Sequence, residues 1–418
     1  MQKCKYGIDE LMEVMDVFNV PAPAAAQIRA ILSAQDPEPS AGVFFRYYNP
    51  RSKTEEFERC FAAHLGSRHA LAVNSGTSAL IASLVAAGIG PGDEVILPAY
   101  TFFASVSAVV VARAIPVIVD IDESLTLSPQ AFEKAITPRT KAVMPVHMLG
   151  LPARMDVIMD IARKHKLLVI EDAAQACGGS FQGKFLGTWG DLGCISLDAY
   201  KVIGTGEGGV VLTDSDWYCM RAQSYHDTAA CWRPDRFGKE RQPGELFCGE
   251  NYRMSELSAA VALAQLRKLD WIISTCRRNC NIIRDNCPLP AGVKWLECAD
   301  PDGICGYTLP LLFDDKEFSF RAQNAKILGG NAGDATRGVR NWHMAWHWEH
   351  ILEQKTATAE GCPFKCPLAK EVPQYHVDSW PQSRDIIHRV GTISVSAHLS
   401  VDECKALGAK ISAGLAHC

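Results

Sequence analysis

The chain has 418 residues, too many for one small hydrophobic core, and its length suits a large domain together with a smaller one. Its 48% hydrophobic and 21% charged residues are those of an ordinary globular protein, and a net charge of -5 gives no electrostatic reason to expect a nucleic-acid partner. Sixteen cysteines are spread from Cys4 to Cys418 without the dense spacing of a secreted disulfide scaffold, which favours reduced thiols in a cytoplasmic protein.

The N-terminal stretch gives no sign of a targeting signal. Residues 1–20 are net acidic and lack the uninterrupted apolar run of a secretory peptide. The most apolar long segment, 104–119, is interrupted by Arg113 and Pro116 and is shorter than a membrane span requires. We therefore expect a cytoplasmic protein that does not enter a membrane.

The elements predicted in chain order begin with a helix that places Ile8, Leu11 and Met15 on one face. A Pro/Ala-rich break at 21–23, a short helix and an aromatic arm at 43–48 follow, so residues 1–50 are predicted as N-terminal helices and an arm. From residue 54 short apolar strands alternate with helices, which indicates a parallel sheet covered on both faces. The predicted strands are 70–74, 94–97, 115–120, 142–146 and 167–171, and the predicted helices are 55–65, 77–87, 103–112, 128–136 and 155–165.

A helix is predicted over residues 254–269, and its helical pattern runs on to about residue 284. Pro288 and Pro290 then mark a plausible boundary. We predict a large domain over residues 51–287 and a smaller α+β domain over residues 288–418. The fold class is α/β.

Ligands on parallel sheets gather at the carboxyl ends of the strands. There, Ser75-Gly76-Thr77-Ser78 stands between a predicted strand and a predicted helix, where backbone N–H groups and the hydroxyls of Thr77 and Ser78 would face an anion. A plain helix N-cap explains the same residues equally well. Ser196 and Lys201 further along the chain favour a phosphate.

Lys201 follows Ser196 and precedes a glycine-dense turn, and Asp172 ends an apolar strand upstream. This combination meets the needs of a pyridoxal phosphate enzyme: an amine for a Schiff base, a serine for the phosphate and a carboxylate for the pyridinium nitrogen. Gln175 could hydrogen-bond the phenolic oxygen of the cofactor. A solvated acid at a strand end is the alternative interpretation of Asp172.

Two other motifs invite different chemistry. Gly204-x-Gly206-x-x-Gly209 matches the dinucleotide fingerprint, but a strand-like run follows it instead of a helix, which indicates a tight turn between strands. The pairs Cys276/Cys280 and Cys362/Cys366 have C-x3-C spacing instead of the usual C-x2-C of zinc ribbons. We therefore predict neither a dinucleotide site nor a metal.

Aromatic side chains are also found where a ligand would bind. Phe102 lies at a strand-to-helix junction, where its ring could stack on a pyridine face or pack in the core. His147 ends another strand, a position where a histidine is more often structural. The segment 341–348 is both aromatic and polar, which suits either a polyhydroxylated substrate or a buried helix with capped indoles.

Five motifs in this order and spacing resemble the DegT/DnrJ/EryC1/StrS family of sugar aminotransferases. The resemblance covers about residues 50–270 and implies PLP fold type I, that of aspartate aminotransferase, in a homodimer with active sites shared between subunits. The motifs are Ser75-Gly76-Thr77-Ser78, Glu171-Asp172-Ala173-Ala174-Gln175, Lys201, Gly206-Glu207-Gly208-Gly209 and Gly249-Glu250-Asn251-Tyr252-Arg253-Met254-Ser255-Glu256.

The resemblance also implies roles for single residues. Lys201 would be the Schiff-base lysine, Asp172 the pyridinium partner and Gln175 the ligand of the phenolic oxygen. The remaining cofactor contacts would be Gly76, Thr77 and Ser196 at the phosphate, Phe102 on the ring, and Asn251 at the phosphate of the neighbouring subunit.

For the substrate, the segments 45–47, 145–150, 341–343 and 348–350 are most similar to family members that aminate the C8 aldehyde of 8-oxo-3,8-dideoxy-manno-octulosonate, a lipopolysaccharide sugar, with L-glutamate as donor. A nucleotide-ketosugar or aminocyclitol aminotransferase is the alternative. A pyridoxamine-dependent sugar dehydratase would carry histidine at Lys201, and a cofactor-binding regulator would need a fused DNA-binding module. The candidate substrate residues are Arg46, Tyr47, His147, Arg253, Arg340, Asn341, Trp342 and His343.

Overall fold

A computed structural model of the chain describes residues 7–34, 51–229, 238–330 and 341–418. The α-helices in these ranges are α1 (Ile8–Val17), α2 (Ala22–Ala34), α3 (Lys53–Leu65), α4 (Gly76–Ala86), α5 (Ala104–Val111), α6 (Pro129–Lys134), α7 (Met155–His165), α8 (Asp216–His226), α9 (Glu256–Leu266), α10 (Leu269–Asp285), α11 (Lys316–Asn324), α12 (Glu349–Leu352), α13 (Pro381–His388) and α14 (Val401–Ala416). The strands are β1 (His69–Val73), β2 (Glu94–Pro98), β3 (Ile115–Val119), β4 (Thr140–Val143), β5 (Leu168–Asp172), β6 (Ser180–Phe181), β7 (Lys184–Phe185), β8 (Leu192–Ser196), β9 (Gly209–Thr213), β10 (Val293–Trp295), β11 (Thr308–Phe313), β12 (Gly329–Gly330) and β13 (Val390–Ser394).

The large sheet has the strand order β1-β9-β8-β5-β4-β2-β3. Its strands run parallel except β9, which is antiparallel to both of its neighbours. Strands β2 and β8 are buried along their whole length, as expected for strands covered by helices on both faces. The carboxyl ends of β1, β2, β5 and β8 therefore meet at one edge, which is where the candidate residues lie.

The predicted elements between residues 54 and 171 are all present, with ends that differ by a few residues from the prediction. The helix predicted over residues 254–269 is present as α9, which ends at Leu266. The helical pattern that continues to about residue 284 belongs to a separate helix, α10, which starts at Leu269. Buried residues at Leu266, Leu269 and Ile273 keep a three-to-four spacing across the break, so the hydrophobic periodicity conceals it.

The glycine motif connects two strands, as predicted, but not by a tight turn. Strands β8 and β9 pair antiparallel, with Ser196 opposite Gly209, and residues 197–208 form the connection. Its first part extends the ladder, because Leu197 N–H donates to Gly208 O at 2.8 Å and Ala199 N–H to Gly206 O at 3.0 Å. Lys201 lies at the far end of this connection.

A smaller antiparallel sheet follows in the C-terminal part of the chain, with strand order β10-β11-β13-β12. Helix α10 packs against α14, and a core that includes Ile283, Phe313, Ile393 and Ile411 lies between these helices and the sheet. The predicted domain limits at residues 50/51 and 287/288 remain predictions. In the described ranges, no helix has both the length and the apolar character that crossing a membrane demands.

Strand β3 is an edge of the large sheet, and side chains from the C-terminal part cover it. Tyr375 Oη donates to Pro116 O at 2.6 Å, and Trp380 Nε1 donates to Ile118 O at 2.9 Å. The rings of Tyr375 and Trp380 are buried. Side chains therefore satisfy carbonyl groups that an exposed edge would offer to another strand.

Candidate active site

The strand-to-helix turn after β1 and the end of β8 approach each other very closely. A Cβ atom added to Gly76 would lie 2.7 Å from Ser196 Cβ and 3.0 Å from its Oγ. On the other side of the turn, a Cβ on Gly209 would lie 2.3 Å from Ser75 O. Only glycine fits at both positions, and the result is a concave edge formed by the first turn of α4 and the hydroxyl of Ser196.

Ser75 caps helix α4, and its Oγ accepts from Ser78 N–H at 3.0 Å. Ser78 is buried, and its hydroxyl donates to Asn74 Oδ1 at 2.6 Å. The anion-facing role predicted for the Ser78 hydroxyl is therefore wrong, because that hydroxyl belongs to the cap. The N–H groups of Gly76 and the half-buried Thr77 lie in the first turn, where N–H groups have no partner within the helix and can face an anion.

Asp172 ends β5 in a buried position beside this edge. Its Oδ2 accepts from Ser105 Oγ at 2.6 Å and its Oδ1 from Ala174 N–H at 3.1 Å. Burial raises the pKa of Asp172, while these two hydrogen bonds and the positive charge of Lys201 act in the opposite direction. A buried carboxylate of this kind is stabilised by a cationic nitrogen, which suits a protonated pyridine ring.

His147 does not face the site. It is fully buried, its Nε2 lies 3.0 Å from Glu171 Oε2, and its Nδ1 accepts from Ala153 N–H at 3.1 Å. Glu171 is equally buried and also accepts from the N–H groups of Gly187, Trp189 and Gly190. The substrate contact predicted for His147 is therefore wrong, because both ring nitrogens are engaged in a structural network.

Lys201 is half-buried in the connection between β8 and β9. Its N–H donates to Asp198 O at 3.0 Å, which closes a turn at this point of the connection. Burial and the positive charge of Lys201 lower the pKa of His343, and the same charge partly offsets the rise that burial causes in the pKa of Asp172.

The aromatic segment 341–348 lies against the end of β2 and is not a long buried helix. Thr101 N–H donates to His343 O at 3.0 Å, and Ala345 N–H donates to Ala99 O at 2.9 Å. The ring of His343 is 5.4 Å from that of Phe102, measured between centroids. Phe102 is 45% exposed and Trp342 is 43% exposed, so two aromatic side chains at this end of β2 are open to solvent.

Asn251 and Arg253 lie in a loop held between two parts of the chain. Asn251 forms an isolated bridge with Asp227, and Tyr252 O accepts from Asn74 N–H at 2.8 Å, next to the turn that starts α4. Arg253 pairs through Nη1 with the buried Asp227, which gives this guanidinium a structural partner. Asn251 is exposed.

The other candidates divide into two groups. Arg46, Tyr47 and Arg340 lie outside the described residues. Asn341 Oδ1 accepts from His343 N–H at 2.9 Å, so its side chain braces the aromatic segment.

Within the described ranges, no three His, Cys, Asp or Glu side chains are grouped in a way that could hold a metal ion.

A profile of the DegT/DnrJ/EryC1/StrS aminotransferase family matches residues 46–292, which is more than half of the chain. This chain belongs to that family. The match includes the turn at Gly76, the end of β5 at Asp172, and Lys201, so the residues assembled at the sheet edge are those of a family member. The cofactor of the family is pyridoxal 5′-phosphate, as predicted.

Named relatives support the same conclusion. GDP-perosamine synthase of Caulobacter vibrioides is 44% identical over 221 residues, which are 51% of this chain and 56% of that protein, so the match spans about half of the relative. The structure of 3-amino-5-hydroxybenzoic acid synthase has 28% identity and a TM-score of 0.72, over 88% of this chain and 91% of that one. DesV of S. venezuelae has 27% identity and a TM-score of 0.69, over 98% and 97%.

These neighbours confirm the predicted fold class, PLP fold type I with a large, mainly parallel sheet and a smaller α+β part. The residues present fit the cofactor: a cradle that a Cβ at Gly76 would fill, a buried carboxylate at Asp172 and an open aromatic face at Phe102. The sequence predictions missed Ser105, which donates to Asp172, and Leu149 and Tyr307, which donate to Gln175. Only Ser105 has a local signal, since it follows Phe102 by three residues at the start of α5.

Proposed function

We propose that the protein is a pyridoxal phosphate-dependent aminotransferase that moves an amino group from L-glutamate to an oxidised sugar. The observation that carries the proposal is that the buried Asp172 ends β5 beside β8, whose last residue, Ser196, lies against the turn at Gly76. Lys201 follows in the connection after β8, where its charge acts on Asp172 and on His343. A lysine held at such a point serves both as a covalent anchor and as a carrier of protons.

Bound pyridoxal phosphate supplies a carbonyl that condenses with amines and a ring that accepts the electrons of a broken Cα–H bond. Gly76, Thr77 and Ser196 would hold its phosphate with N–H and hydroxyl donors. Asp172 would keep its ring nitrogen protonated. Phe102 would cover one face of the ring.

Lys201 has two tasks in each half-reaction. Its amine would hold the cofactor covalently when no substrate is bound, and once free it would carry a proton to or from the Cα of the amino donor. In the second half-reaction the same amine would carry the proton for the sugar acceptor. Because burial and the Lys201 charge lower the pKa of His343, that imidazole is neutral beside the reacting amine and does not compete with it for substrate anions.

The acceptor we propose is the C8 aldehyde of 8-oxo-3,8-dideoxy-manno-octulosonate, which would make the protein an 8-amino-3,8-dideoxy-manno-octulosonate aminotransferase. The exposed indole of Trp342 supports a sugar, because C–H groups of a sugar ring pack on aromatic faces while its hydroxyls bond to polar neighbours. The roles of Arg46, Tyr47, Arg253, Arg340, Asn341, Trp342 and His343 in binding it belong to this proposal.

A nucleotide-linked ketosugar is the second candidate acceptor. The specific observation in its favour is the 44% identity to a protein named GDP-perosamine synthase. We also propose a homodimer in the cytoplasm, in which the exposed Asn251 of one subunit contacts the phosphate bound to the other.

The purified protein should absorb in the visible region when pyridoxal phosphate is added, and borohydride should then attach the cofactor irreversibly to Lys201, as peptide mass spectrometry would show. A protein without such a band or adduct would contradict the proposed function. The acceptor is identified by incubating the protein with glutamate and a panel of oxidised octulosonates and nucleotide ketosugars. Formation of 2-oxoglutarate with only one class identifies the acceptor.

A further inference from the structure

The side chain of Gln175 is oriented by a backbone contact. Leu149 N–H donates to Gln175 Oε1 at 3.0 Å. Since an N–H group only donates, the amide oxygen must face Leu149, and the amide NH2 group remains as the part of this half-buried side chain that can donate to another acceptor. The orientation of this amide therefore follows from the position of a single backbone group.

That backbone group belongs to a residue in an uncommon conformation. Leu149 has φ 57° and ψ 20°, in the left-handed region that a residue with a branched side chain seldom adopts. The next residue, Gly150, has φ 73°, and a Cβ there would lie 2.6 Å from Cys305 Cβ and 2.9 Å from a ring carbon of Tyr307. Strained backbone of this kind persists where its surroundings hold it and where it serves a site.

Tyr307 supports Gln175 from the other side. Its hydroxyl donates to Gln175 O at 2.9 Å, and burial raises its pKa well above the ordinary value, so the hydroxyl keeps its proton. Nearby, Cys305 N–H donates to Gly150 O at 2.9 Å. The stretch before β11 thus clamps both the strained turn at Leu149 and the backbone of Gln175.

We infer that Leu149 and Tyr307 are positioning residues that aim the Gln175 amide as a hydrogen-bond donor at the ring oxygen of the cofactor. The inference rests on the proposed function, because it needs that cofactor at Asp172 and Lys201. The inference adds two residues that do not touch the cofactor, and one of them, Tyr307, lies 132 positions from Gln175 along the chain. Through them, the C-terminal part of the chain acts on the cofactor ring.

The test is Tyr307→Phe, which removes only the hydroxyl. Tyr375→Phe is the matched control, since that buried tyrosine also donates to a backbone carbonyl, Pro116 O, away from the site. We expect Tyr307→Phe to weaken cofactor binding about three- to tenfold and to shift the visible absorption maximum. Tyr375→Phe should change neither, although both variants lose one buried hydrogen bond.

Two further variants distinguish an effect on the orientation of the Gln175 amide from a general loss of stability in Tyr307→Phe. In a Gln175→Ala background, Tyr307→Phe should have no further effect on the absorption maximum, because the amide it aims is gone. Gln175→Glu keeps an oxygen for Leu149 N–H but presents an acceptor to the cofactor, and should bind it more weakly than Gln175→Ala does. An equal shift in both backgrounds, or equal behaviour of the two tyrosine variants, would overturn the inference. If the wild-type protein itself binds no cofactor, the proposed function fails instead.

Discussion

Gly76 and Ser196 come so close that a single added methyl group would place two carbon atoms 2.7 Å apart. Gly76→Ala should therefore push the start of α4 away from β8 and open the phosphate cradle. Overpacking of this kind costs about 1–3 kcal/mol, so we expect roughly 5- to 100-fold weaker cofactor binding. Fluorescence titration with pyridoxal phosphate measures it. Gly90→Ala is the control, since a Cβ there meets nothing within 4 Å, and equal affinities of both variants would contradict the cradle.

Lys201→Ala removes the amine that moves protons. Turnover of glutamate should fall by about 10²- to 10⁴-fold, the usual contribution of general acid–base catalysis. Cofactor should still bind through the phosphate and ring contacts, which equilibrium dialysis would show. Lys141→Ala, at an exposed position on β4, should keep full turnover. Substantial activity of Lys201→Ala would exclude the proposed proton transfer.

Asp172→Asn should raise the stability of the protein while lowering its turnover. Since burial raises the folded-state pKa of Asp172 above its unfolded value, ionisation of this group opposes folding. That penalty is absent below about pH 4 and grows as the pH rises toward the folded pKa. The cofactor-free variant should therefore be more stable than wild type in urea at pH 7.5, by a margin that narrows toward pH 4.5. Its turnover should fall about 10- to 100-fold, because a charged hydrogen bond to the ring nitrogen is lost. A stability difference independent of pH would contradict the buried charge.

His147→Ala tests whether this histidine is structural. The change leaves a cavity and removes a partner of the buried Glu171, which should lower the free energy of unfolding by about 2–4 kcal/mol. The KM for the acceptor should stay as in wild type, because the ring does not reach the site. His376→Ala, at an exposed position, should change neither quantity. A raised KM with unchanged stability would restore the substrate role predicted from the sequence.

Trp342→Ala should affect the acceptor half-reaction only. Loss of one aromatic face is worth about 0.5–1.5 kcal/mol, so the KM for the sugar should rise about 2- to 12-fold while the reaction with glutamate alone keeps its rate. Single-turnover spectra of each half-reaction measure the two effects separately. Trp271→Ala removes a similarly exposed indole on α10 and should have no effect on either. Equal losses in both half-reactions would place Trp342 outside the sugar site.

Local signals predicted several of the residues that lie at this edge of the sheet. Asp172 and Ser196 end strands and Gly76 starts the helix after a strand, and a parallel sheet brings such positions together whatever the details of packing. His147 also ends a strand run, but sequence does not show which way a side chain points after a strand ends. The prediction failed there because Glu171, not the ligand, faces it.

Contacts between residues that are far apart in the sequence could not be predicted from the sequence. His343 meets Phe102 because the segment 341–345 pairs with residues 99–101, and no periodicity in either stretch indicates that contact. Tyr307 meets Gln175 for the same kind of reason. The break between α9 and α10 was not predicted because the helical spacing of the hydrophobic residues continues across it, although the helix itself is interrupted.

The cover over strand β3 has a consequence for synthesis of the chain. Strand β3 is complete at Val119, whereas Tyr375 and Trp380, which cap its outer carbonyls, are made some 250 residues later. Throughout that interval the nascent large sheet has an open edge of the kind that pairs with other chains. The C-terminal part of the chain therefore covers the edge of the large sheet as well as supporting the active site. A chain that ends before residue 375 should leave β3 as an uncovered edge strand that can pair with strands of other chains.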